Sequence, residues 1–177
     1  MRIDYTPQLD FKDVLIQPKR TTISSRSQVL LERTVTFPNT TATWTGVPII
    51  SSNMDTTGTF ELYDVLSQFK MITCLHKHYT LDDFKSRYET APLNPEYFMI
   101  STGIGQDSLL KLQELVNFSR AKWICIDVAN GYSERFINFV ADFRQSWPDK
   151  VIIAGNVVTP DITEELILKG ADIVKVG

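Results

Sequence analysis

Five polar clusters each follow an apolar run: Ser51-Ser52-Asn53-Met54-Asp55, His76-Lys77-His78-Tyr79, Ser101-Thr102-Gly103, Asp127-Val128-Ala129-Asn130-Gly131 and Gly155-Asn156-Val157-Val158-Thr159. Where strands alternate with helices, working residues gather at the ends of the strands, so these are the positions at which chemistry is expected. Lys77 brings an ammonium that could meet an anionic nucleotide or take part in proton traffic; the plainer reading is a solvated strand-end lysine. Asp127 could accept hydrogen bonds from a ribose or a carboxamide, or could simply face the N-terminus of the next helix. Asn53, Asp55 and Asn156 add polar groups at other strand ends, and Asn130-Gly131 reads as a tight turn. His76 and His78 share one side of an extended segment, but two imidazoles without a third donor make a poor site, so no metal is predicted.

Two further signals are set aside. Gly103-Ile104-Gly105 suggests a dinucleotide loop, yet Ser108 stands where the third glycine of G-x-G-x-x-G belongs. Cys74 and Cys125 lie inside apolar runs, where desolvation disfavours a thiolate, and both read as core residues.

The elements that must position these groups follow from periodicity. Runs at Val47 to Ile50, Met71 to Leu75, Tyr97 to Ile100, Trp123 to Ile126, Val151 to Ala154 and Ile173 to Val176 are nearly continuous in apolar character, as in parallel strands covered on both faces. Before them lies a polar stretch read as irregular. Between them lie helices. Phe136, Phe139, Val140 and Phe143 form one face behind an N-cap at Ser133. Thr159 and Pro160 open another helix, with Leu166 and Ile167 inward and Gly170 just past its end. Helices are also expected over 60–69, 81–88 and 108–118. No linker or low-complexity tract divides the chain, so 1–177 reads as one α/β domain. The expected fold is a (β/α)8 TIM barrel truncated after about six strands. The final strand has no helix after it to cover its edge, which favours truncation over the alternative of a complete six-strand sheet.

Bulk properties narrow the function. With 18 Lys and Arg against 21 Asp and Glu, the chain lacks the field that holds nucleic acid or an anionic membrane. Two cysteines give no disulfide framework and suit a reducing, cytoplasmic compartment. The opening Met1-Arg2-Ile3-Asp4-Tyr5 has no apolar secretory core, and no run approaches membrane-span length.

Several stretches together are identifiable: Asp10-Phe11-Lys12-Asp13-Val14-Leu15-Ile16 with Pro18-Lys19-Arg20, Asn53-Met54-Asp55-Thr56, His76 to Tyr79, Cys125 to Ser133, and Ala154 to Thr159. The chain closely resembles the IMP dehydrogenase and GMP reductase family, on its reductase side. Most dehydrogenases insert a regulatory domain after the second barrel strand, whereas here Tyr79 leads straight into the next helix. A dehydrogenase lacking that insert, or a non-catalytic nucleotide-binding fragment, is the alternative.

The resemblance implies reductive deamination of GMP by NADPH to IMP and ammonia, with a cysteine attacking the purine C2. Carried over by motif, Lys77 lies near the reacting centre and the cofactor. Asp127, Val128 and Ala129 form part of the NADPH pocket, and Ser25 and Arg26 reach the cofactor of a neighbouring subunit. Met54 and Asn156 lie beside the nucleotide. The family is typically tetrameric. Beyond the position of Gly177 it carries the nucleophilic cysteine on a loop that binds a monovalent cation, potassium, and then the phosphate site. The 177-residue chain alone is therefore expected to show no turnover.

Overall fold

The structure, a computed structural model, describes residues 3, 5–7 and 9–177. Met1, Arg2 and Asp4, on which the reading of the chain start partly rests, lie outside the described residues, as does the side chain of Phe11 in the Asp10 to Ile16 motif. The chain divides into two compact units, one ending at Leu30 and one running from Leu31 to Gly177.

The first unit holds two 3-10 turns, Phe11–Asp13 and Arg26–Gln28. The second is closed by a capping box: the Ser25 hydroxyl accepts from the Ser27 amide at 3.3 Å, and the Gln28 side chain accepts from the Ser25 amide. A short polar side chain at that position satisfies amides that the turn leaves open.

The second unit begins with an antiparallel hairpin, β1 (Arg33–Thr36) and β2 (Thr43–Gly46). Six parallel strands follow, β3 (Ile50–Ser51), β4 (Ile72–Leu75), β5 (Phe98–Thr102), β6 (Trp123–Asp127), β7 (Val151–Val157) and β8 (Ile173–Val176), paired in chain order. Helices α1 (Phe60–Leu66), α2 (Leu81–Thr90), α3 (Gln106–Ser119), α4 (Glu134–Ser146) and α5 (Pro160–Leu168) alternate with them. Local chemistry sets where they begin. Thr59 caps α1, Thr80 and Asp83 form a capping box on α2, and the Ser133 hydroxyl accepts from the Phe136 amide at 3.3 Å on α4.

The sheet is curled. In a flat six-stranded sheet, β3 and β8 would lie ~24 Å apart, beyond the reach of any two side chains. Yet the Lys175 ammonium on β8 sits 3.0 Å from the side-chain carbonyl of Asn53, two residues past β3. The unit is thus a parallel half-barrel whose inner strands β4 to β7 bury both faces, as their unbroken apolar runs predict, while the edge strands β3 and β8 stay partly open.

Two clusters fill those faces. Outside, Phe98, Ile100, Ile124, Ile126 and Ile152 pack against Phe136, Val140 and Phe143 of α4 and Leu112 and Leu115 of α3. Inside the bore, Ile72, Cys74, Met99, Cys125 and Ile153 continue down to Trp123. There Phe37 and Trp44 of the hairpin region meet Trp123 edge-on, with centroids 5.2 and 5.8 Å away. The hairpin replaces the irregular stretch expected there; its pairing threonines, Thr34 with Thr45 and Thr36 with Thr43, hide the period of two in the sequence.

One helix face also differs from the reading. On α5, Ile162 and Leu166 form the inward stripe at i and i+4, while Ile167, a further ~100° around the helix, is 52% exposed. No helix among the described residues is long and apolar enough to cross a membrane.

Candidate functional site

The polar ends of β3, β6 and β8 meet in a ring of side chains at the C-terminal mouth of the bore. Lys175 Nζ donates to Asp127 Oδ1 at 2.6 Å and to Asn53 Oδ1 at 3.0 Å, and Asn53 Nδ2 donates to Asp127 Oδ2 at 2.9 Å. Burial alone would raise the Asp127 carboxyl, but hydrogen bonds from Lys175 and Asn53 and the charges of Lys175 and Lys77 outweigh it and hold the group below its ordinary range. Lys175 mirrors this. Burial pulls it down, and the bond to Asp127 with nearby negative charge raises it above the usual lysine value. The ring is an ionised pair, about one-third exposed on each side chain, facing the mouth. Beneath it lies a cavity of about 140 Å³ lined by Ser51, Asn53, Cys74, Cys125 and Lys175.

The loops around this ring are tied to one another. After β6, the Gly131 amide donates to the Asn156 carbonyl at 3.0 Å, so close that a β-carbon on Gly131 would lie 2.5 Å from that oxygen. Glycine is needed there for approach. The Tyr132 hydroxyl accepts from the Val158 and Thr159 amides at 2.9 and 2.8 Å and donates to the Thr159 hydroxyl, joining the loops after β6 and β7. These contacts lower the Tyr132 phenol, with the Thr159 bond leading.

The residues singled out from the sequence fall as follows. Asp127 is in the ring, and its bonds go to Asn53 and Lys175, while the N-terminus of α4 is capped by Ser133. Val128 is half-buried and Ala129 exposed in the next turn. Lys77 is exposed in the turn after β4; its carbonyl accepts from Lys111 Nζ at 2.7 Å, and its charge reaches Asp127. Met54 is 59% exposed, in a turn closed by its own carbonyl accepting from Thr57 and Gly58. The Asn156 Nδ2 donates to the Gly177 carbonyl at 3.0 Å. Ser25 and Arg26 belong to the first unit.

Asp55, distant in sequence, lies 3.4 Å from the His78 imidazole, and His76 stacks on Tyr79. Among the described residues no group of three or more His, Cys, Asp or Glu is placed to hold a metal ion. Cys74 and Cys125 are both buried, and hydrogen bonding with the Cys125 thiol, together with burial, pushes the Cys74 thiol well up, which removes it as a nucleophile.

Two participants escaped the sequence reading. In the sequence Lys175 reads only as part of an apolar strand, although a lone lysine at the bore-facing position of an apolar parallel strand is a signal in itself. Tyr132 was noted only as part of a motif, and nothing local in the sequence indicates that its hydroxyl reaches the β7 loop.

Comparison with known proteins places this geometry. Residues 8–177 match the family model described as IMP dehydrogenase / GMP reductase domain. The chain is 52% identical over 177 residues to GMP reductase 1 of Mus musculus, covering 99% of this chain and 51% of that protein. It is 51% identical over 179 residues to GMP reductase of Salmonella arizonae, covering 100% of this chain and 52% of that protein. The chain thus spans about half the length of the curated relatives it matches. Among solved structures, inosine 5′-monophosphate dehydrogenase from Legionella pneumophila superposes with a TM-score of 0.74 at 27% identity, over 94% of this chain and 50% of that one. The short connection from β4 to α2, residues 76–80, leaves no room for an inserted domain. Matched from its first motif to its last strand, the chain belongs to the IMP dehydrogenase and GMP reductase family.

Proposed function

We propose that the full-length protein is a GMP reductase that converts GMP, NADPH and two protons to IMP, NADP and ammonium. The observation that carries this reading is the 52% identity to a named GMP reductase along the whole of this chain. The ring at the barrel mouth supports it.

The residues present fit a nicotinamide cofactor, which when bound supplies the hydride. Asp127 is held ionised by Lys175 and Asn53 and keeps acceptor capacity toward the mouth. An anionic acceptor of this kind suits the amide of a nicotinamide carboxamide or the hydroxyls of a ribose. Lys77 offers an exposed cation whose charge reaches Asp127, to neutralise phosphate or to stabilise negative charge near the reacting purine. Val128 and Ala129 shape the wall of this pocket, and Met54 and Asn156 border the nucleotide. Ser25 and Arg26 contribute to the cofactor site of a neighbouring subunit in a tetramer working in the cytoplasm. A monovalent cation, potassium, accompanies the reaction, and no residue of this chain is assigned to it.

The test is the oxidation of NADPH with GMP by the full-length protein, with IMP and ammonia identified as products. Oxidation with stoichiometric IMP supports the reading. Reduction of NAD with IMP, and no reaction with GMP, would replace it with a dehydrogenase lacking the insert. The 177-residue chain alone should give no turnover in the same assay.

A further inference from the structure

Asp127, Gly155 and Lys175 occupy one row across three neighbouring strands, since Asp127 pairs with Gly155 and Gly155 with Lys175. Residues in one row point to the same face of a sheet. The side chains of β6 and β8 start ~9.6 Å apart, two strand spacings. They meet at 2.6 Å because the residue between them has no side chain. A β-carbon at Gly155 would lie 2.5 Å from the Lys175 carbonyl oxygen and 2.6 Å from its β-carbon. The glycine therefore does two things: it lets β7 and β8 approach closely, and it opens a window through which the lysine reaches the aspartate.

The ring also fixes the orientation of its members. Asn53 accepts through Oδ1 from Lys175 and donates through Nδ2 to Asp127, so rotating the amide by half a turn would set donor against donor. Both Asp127 oxygens are engaged, one by each partner.

We propose that Lys175 is a positioning residue, locking the Asp127 carboxylate and the Asn53 amide into the single arrangement that receives the cofactor. This rests on the assignment of Asp127 to the cofactor pocket. Without the lysine, the Asn53 amide is free to flip and Asp127 keeps one neutral partner. The other groups facing Asp127 are Lys77 from the β4 turn and the Cys74 thiol on β4, while the Cys125 thiol on its own strand faces Lys175.

Lys175→Met and Lys175→Arg in the full-length protein test this. The Met variant should raise KM for NADPH about tenfold or more, the usual scale for losing a charged hydrogen bond, while KM for GMP changes less than about twofold. The acid limb of kcat/KM for NADPH should move to higher pH, and Arg should recover part of both effects. Unchanged NADPH kinetics and an unmoved acid limb in the Met variant would overturn the proposal. So would equal losses for GMP and NADPH that track a lowered melting temperature, since that pattern marks a merely structural lysine. If the wild-type protein fails to oxidise NADPH with GMP, the assignment of the pocket fails, and the lysine is judged separately by carbon NMR titration of Asp127. An upward shift of its carboxyl pKa in the Met variant supports the locked ring, and an unchanged titration overturns it.

Discussion

Two ion pairs lie at opposite ends of β8, separated by Ile173 and Val174, and they are built from the same charges to opposite effect. At the base, the Asp172 side chain is fully buried and that of Arg144 is 14% exposed. The guanidinium spends its donors on Asp172 Oδ2 at 2.5 Å and on the carbonyls of Gly170, Trp147, Pro148 and Lys150, and Asp172 Oδ2 also accepts from the Ile152 amide. These contacts, to turns and to β7, tie the end of α4 to β7 and β8, while Asp172 Oδ1 is buried with no partner among the described residues. At the mouth, the Lys175 and Asp127 side chains bond, among the described residues, to each other and to Asn53, and about a third of each stays open. Burial decides the role. A pair shut away from solvent, with its guanidinium spent on this chain's own carbonyls, holds strands together, and one that stays about a third open at the mouth is available for a ligand.

The largest effect that would break this contrast comes from the base. Arg144→Ala leaves the Asp172 carboxylate buried without its cation and should cost about 3–5 kcal/mol of stability in chemical denaturation. In the protein that remains folded, the ratio of KM for NADPH to KM for GMP should be unchanged, because the loss lies at the far end of the strand. A small cost, or a change in that ratio, would show that the two ends are not separable.

Gly155→Ala attacks the mouth instead. The new methyl meets the Lys175 carbonyl oxygen at 2.5 Å and its β-carbon at 2.6 Å, and neither can simply rotate away, since the β-carbon is fixed to the strand backbone. Overpacking of this kind costs about 1–3 kcal/mol. Hydrogen exchange should show faster exchange at Lys175 and Val176, while the Asp172 amide, which donates to the Ile152 carbonyl at 2.9 Å, keeps its protection. Uniform loss along β8 would mean that the base pair does not anchor the strand by itself.

The contrast also explains what could be read in advance. The six parallel strands and the face of α4 are legible, because continuous apolar runs and a stripe such as Phe136, Val140 and Phe143 answer to period alone. Ser133 was legible as a cap because its role is local. The hairpin was not, since its threonines make a pairing face that resembles a polar loop. Asp127 was recognisable as a strand-end acid, but its two sequence readings, ligand contact and helix dipole, could not be separated. Its partners come from Asn53 and Lys175, 74 and 48 residues away, and only the curl of the sheet brings them together. The same holds for Arg144 and Asp172. Periodicity reports which face a residue takes, and it is silent on which distant strand supplies the partner.

The smallest expected effect sharpens the contrast through pH. Asp127 is depressed in the folded state, so its contribution is fully present above the unfolded carboxyl pKa of about 3.9 and is lost as pH falls through the lower folded value. Lys175 is raised, so its contribution is fully present below about 10.4 and is lost as pH rises through the higher folded value. Between roughly pH 4 and pH 10 the pair should therefore add a constant increment, which exposure to solvent limits to about 1 kcal/mol. Urea denaturation of wild type and Lys175→Met should show a constant gap across this range that narrows in acid below about pH 4, as Asp127 takes up its proton, and again in alkali above about pH 10, as Lys175 loses its own. If the gap instead stays constant through that acid region, the lysine stabilises the fold by packing its stem in the bore, and the pair at the mouth is no more an electrostatic unit than any apolar contact along β8.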